Sequence, residues 1–106
     1  MPLTLLREES RWLIRMEGQI TLTSAGELKQ LLIEWSSARK DLEFDLQGVE
    51  EIDIPIMQLL WVAAREAVPL AVKVTACASE SAAAAARDSG FARMPGFPFQ
   101  DQSWES

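Results

Sequence analysis

Residues 42–67, LEFDLQGVEEIDIPIMQLLWVAAREA, decide how this chain folds. Leu42, Phe44 and Leu46 alternate with Glu43 and Asp45, the period-two pattern of a strand with one buried face. The acidic residues that follow predict a turn, and beyond Asp53 the apolar residues Ile56, Leu59, Leu60, Ala63 and Ala67 recur at helical spacing. Asp53 is placed to accept hydrogen bonds from the free N–H groups of the first helical turn. Pro55 costs nothing in that turn, where N–H groups have no partner within the helix. A strand, a tight junction and a helix are therefore expected, the helix running from about Pro55 to Ala67 and stopping at Val68-Pro69.

Upstream, Pro2 to Leu6 and Arg11 to Glu17 predict two strands joined by the charged turn Arg7-Glu8-Glu9-Ser10, an opening hairpin with Trp12, Ile14 and Met16 on one face. Gln19 to Thr23 form a connection. Ser24 with Glu27 gives the spacing of a capping box. Leu28, Leu31, Leu32 and Trp35 then make the buried stripe of an amphipathic helix. Downstream, Leu70 to Thr75 predicts a strand, and the alanine-rich segment Ala78 to Ser89 predicts a helix capped by Ser79 or Ser81 and ended by Gly90. The order β-β-α-β-α-β-α implies an α/β fold, a mixed sheet of four to five strands with helices packed on it. One domain, 1–97, is expected, with an irregular tail at 98–106. Phe97, Phe99 and Trp104 there either cover an open edge or form a short binding segment.

Composition narrows the function. The chain has 106 residues, 48% apolar and 25% charged, enough for one core. A net charge of −6 argues against nucleic acid, which requires clustered bases to neutralise phosphates. With one cysteine, Cys77, and no histidine, neither a disulfide framework nor a zinc site is expected, and no cofactor is implied. The first residues, MPLTLLREES, lack the features of a signal peptide, and Ile54 to Ala64 is too short to span a bilayer, so a cytoplasmic protein without membrane insertion is expected. No nucleophile–base pair and no phosphate-cradling glycine loop is present, so an enzyme is not expected and no catalytic residue is assigned.

Gly18-Gln19-Ile20, the run Phe44 to Asp53 (FDLQGVEEID) and Gly90-Phe91, in this order and spacing, resemble the STAS domain, the module shared by sulphate transporters and bacterial antagonists of anti-sigma factors. The likeness covers about Leu3 to Phe97. It implies a protein-interaction module of bacterial signal transduction. In the antagonists, the aspartate matching Asp53 precedes two small hydroxylated residues and a glycine, and a partner kinase phosphorylates the second hydroxyl. Here Ile54, Pro55 and Ile56 occupy these positions, so Pro55 is a degenerate phosphorylation position with no atom to carry the group. Thr21 stands where such antagonists often have an aspartate. Gln58-Leu59-Leu60 is similar to STAS proteins of chemotaxis-type signalling and of lipid-transport complexes.

The expected site is the start of the second helix with the adjacent loop: Thr21, Thr23, Asp53, Ile54, Pro55, Ile56, Met57 and Trp61. Met57 and Trp61 lie beside the core stripe, and two roles are open to them, packing between neighbours or anchoring a protein partner. The Ile54-Pro55-Ile56 surface either closes the core or docks a partner permanently in one charge state. The acidic residues Asp41, Glu43, Asp45, Glu50, Glu51 and Asp53 are expected to form a solvated charged face, not a metal site or a general acid–base pair. The resemblance implies as partner a kinase-type anti-sigma factor, a chemotaxis-type kinase or, alternatively, the ATPase subunit of a lipid-transport complex. A carrier of small lipophilic ligands is a further alternative.

Overall fold

The computed structural model of the protein describes residues 3–93. The tail with Phe97, Phe99 and Trp104, and the expected domain boundary after residue 97, lie outside the described residues. Among the described residues four strands and three α-helices follow one another as expected: β1 (Leu3–Arg7), β2 (Arg11–Ile20), α1 (Ala25–Ala38), β3 (Asp41–Ile52), α2 (Ile54–Leu70), β4 (Val74–Ala78) and α3 (Glu80–Ser89). A short 3₁₀ turn, Leu22–Ser24, precedes α1.

The strands lie in the order β1-β2-β3-β4. β1 and β2 form the antiparallel hairpin that the charged turn predicts. β2, β3 and β4 run parallel, so each crossover carries a helix. Trp12, Ile14, Met16, Leu42, Phe44 and Leu46 point into the core, where they meet Leu28, Leu32 and Trp35 of α1 and Ile56, Leu60 and Ala63 of α2. Trp35 keeps its indole N–H satisfied by donating to the Lys40 carbonyl at 2.6 Å. The opposite sheet face carries the Leu6–Leu13 pair and, beside it, charged residues. Arg15 pairs with Asp45 at 3.2 Å, and Arg11 pairs with Glu8 and Glu43, whose hydrogen bond and charges raise the guanidinium pKa.

Several boundaries differ from the sequence expectation. The acidic stretch after Leu46 is no turn: β3 continues to Ile52. Pairing with β2 slips by one residue between Asp45 and Gly48 and again between Val49 and Glu51. Each bulge places two residues outward in succession, Gln47-Gly48 and then Glu50-Glu51, while Val49 and Ile52 return to the core. Gly18, opposite Val49, has φ +76°, a conformation that side chains disfavour. β2 likewise runs on to Ile20 instead of ending at Glu17.

Helix α2 passes the expected stop and includes Pro69 in its last turn. Proline removes one helical hydrogen bond there. The helix is closed a little later, where Ala71 takes the left-handed conformation and the N–H groups of Ala71 and Val72 donate to the carbonyls of Val68 and Ala67. β4 consequently begins at Val74 and not at Leu70. The capping box at α1 does not form. Ser24 is helical in its own backbone, is buried and makes no side-chain cap, because the 3₁₀ turn already leads the chain into the helix. Of the two candidate caps for α3, Ser79 is the one used, accepting from the Ala82 N–H at 3.1 Å.

Candidate functional site

The carboxyl ends of β2 and β3 deliver two segments to one rim of the molecule. After Ile20 the chain turns through Thr21–Ser24; after Ile52 it enters α2. Ile20 pairs with Ile52, and the Asp53 N–H donates to the Ile20 carbonyl at 3.0 Å, which brings the segments side by side.

Asp53 does not cap its own helix with its side chain. Its backbone is extended, its carbonyl accepts from the N–H groups of Ile56 and Met57, and its carboxylate is turned sideways. Oδ2 accepts from the Leu22 N–H at 2.9 Å, across 31 positions of sequence. Leu22 opens the 3₁₀ turn, so this N–H has no partner within the turn. The carboxylate supplies it, in a charge-assisted bond of the stronger kind. The expected acceptor is therefore present but serves the neighbouring loop. Thr21 and Thr23, on either side of Leu22, share a hydroxyl–hydroxyl hydrogen bond of 2.7 Å.

This arrangement leaves apolar side chains in solvent. Leu22 is 63% exposed and Ile54 is 51% exposed. Between helices α1 and α2 lies a groove of about 370 Å³, lined by Gly26 and Lys29 on one side and Pro55, Gln58, Leu59 and Val62 on the other. Ile33 of α1 and Val62 of α2 are also exposed.

The expected site residues separate into two groups. Thr21, Thr23, Asp53, Ile54 and Pro55 share the rim, all at least partly exposed. Ile56 and Met57 correct the expectation: they are 0% and 1% exposed and face the core, because α2 turns these positions toward the sheet. Trp61 is intermediate, packed on the core with the Arg65 guanidinium 5.0 Å above its ring centroid. Leu22 and Val62 were not among the expected residues. A leucine between two threonines, outside any apolar period, was the available signal for the first. Among the described residues no group of three or more His, Cys, Asp or Glu side chains is placed to hold a metal ion, and no helix is long and apolar enough to cross a membrane.

The fold has counterparts among solved structures. The anti-sigma factor antagonist SpoIIAA in its unphosphorylated form superposes with a TM-score of 0.69 over 97% of this chain and 90% of that one, at 14% identity. The crystal structure of Mglu matches with a TM-score of 0.62 and 21% identity over 73% of this chain, which spans only 19% of Mglu. An anti-sigma-factor antagonist STAS domain from Rhodobacter sphaeroides matches with a TM-score of 0.48, 20% identity, and coverage of 74% and 91% of the two chains. No family model matches the sequence, and no curated protein does. A four-stranded mixed sheet with three helices, superposing on SpoIIAA along nearly its whole length, defines the chain as having the STAS-domain fold.

Proposed function

We propose that this chain is a non-enzymatic protein-interaction module of bacterial signal transduction, docking its partner on the rim made by Thr21–Ser24 and the start of α2. The supporting observation is the bond from the Leu22 N–H to the Asp53 carboxylate, which locks two distant segments into one surface bearing exposed Leu22 and Ile54. Ile54, Pro55 and Ile56 carry no hydroxyl, so docking here is not switched by phosphate at the position where the antagonists receive it. The partner class is a kinase-type anti-sigma factor or a chemotaxis-type kinase.

Affinity capture from the source cells with the wild-type chain and with a Leu22→Asp/Ile54→Asp variant, read by mass spectrometry, tests this. A kinase retained by the first and lost by the second supports the proposal. Retention of the ATPase subunit of a lipid-transport complex in the same pattern replaces the partner class, and equal retention by both chains removes the rim as the docking surface. Incubation with the captured kinase and ATP is expected to leave residues 54–57 unmodified.

A further inference from the structure

The two segments that form the rim carry only negative charge. In residues 17–28 and 47–64 every ionisable side chain is a carboxylate: Glu17, Glu27, Glu50, Glu51 and Asp53. Elsewhere five carboxylates are matched, Glu34 by Arg7, Glu8 and Glu43 by Arg11, Asp45 by Arg15 and Glu80 by Arg87, while Glu9, Asp41, Glu66 and Asp88 are in no ion pair among the described residues. Among the described residues none of the four rim glutamates is in an ion pair. The register sets Glu51 beside Gln19 and Glu17 beside Gly48, next to the segments that carry Leu22 and Ile54. The second bulge of β3 turns Glu50 and Glu51 outward together. The bases that follow these segments are Lys29, on the α1 wall of the groove, and Arg65, over Trp61, whereas Arg39, Lys40 and Lys73 belong to the opposite ends of the strands, near the start of β3 and before β4.

Exposed apolar side chains bordered by unmatched negative charge define the chemistry of what covers them. We infer that the partner presents a basic amphipathic segment, an apolar side chain set against Leu22 and Ile54 with Lys or Arg over Glu50 and Glu51, clear of the Lys29 wall of the groove. Complementary potentials steer such an encounter and fix its register, while like charge repels the wrong surface. The same repulsion disfavours nucleic acid and an anionic bilayer as occupants. This inference rests on the docking surface proposed above and adds the partner's chemistry.

A random peptide library displayed on phage and selected on the full chain provides the probe. Enriched peptides are expected to combine Lys or Arg with a large apolar residue. Their affinity should fall about tenfold in Glu50→Lys/Glu51→Lys and at raised salt, and stay unchanged in Asp88→Lys, on the exposed side of α3. Circular dichroism confirms that each variant is folded. Selection of no peptide, or of peptides without bases, overturns the inference, as does undiminished binding to Glu50→Lys/Glu51→Lys. Leu22→Asp separates the two levels: if it abolishes binding while the glutamate variant does not, the docking surface stands and the basic partner falls. If Leu22→Asp binds normally, the docking surface itself falls.

Discussion

Helices α2 and α3 both begin where a parallel strand leaves the same edge of the sheet, yet their first turns are held differently. At α3, Ser79 satisfies its own helix through Ala82 and donates to the Val49 carbonyl at 2.7 Å, so one side chain both caps the helix and fastens it to β3. At α2, Asp53 gives its carboxylate to Leu22 and leaves its own first turn uncapped by a side chain. A self-sufficient helix start needs nothing from its neighbour. A shared one turns two loops into a single surface, as the proposed docking rim requires.

The contrast can be tested in descending order of effect. Ile56→Ala, in the buried layer beneath the α2 start, should cost about 2–5 kcal/mol in chemical denaturation, the usual range for truncating a buried aliphatic side chain. The α3 equivalent is alanine at both buried positions, Ala82 and Ala86, so Ala82→Leu should instead overpack, costing about 1–3 kcal/mol. Ser79→Ala should cost about 1–2 kcal/mol and speed amide exchange in the first turn of α3, because it removes a cap. Asp53→Ala should cost about 1 kcal/mol, with faster exchange at Leu22 while α2 keeps its protection. Fraying of α2 in that variant would break the comparison, since it would make Asp53 an ordinary cap. Ile54→Ala should change stability by less than about 0.5 kcal/mol, as expected for an exposed side chain, and any loss of partner binding would then be a contact effect.

The element order and the buried faces were legible because alternation in 42–46 and helical spacing in 56–67 are local signals of burial. The strand continuation through Gly48–Ile52 was not, since two bulges change the phase and make a paired strand look like an acidic turn. Pro69 inside α2 escaped for a similar reason: a proline near the last turn forfeits little when the chain closes the helix just beyond it. At the site, Asp53 and Pro55 were legible as a helix start, whereas the target of the Asp53 carboxylate depends on a pairing between Ile20 and Ile52 that no local pattern encodes. Met57 shows the reverse limit, an interface-prone residue type that the rotation of α2 turns inward.

The paired bulges of β3 make that strand a vernier against β2: over the same length it counts two residues more, and each extra residue resets which side chain looks inward. Deleting either Gln47 or Glu50 would remove one count and leave plain alternation in its place, so Val49 and Ile52 would still look inward and Asp53 would stay within reach of Leu22.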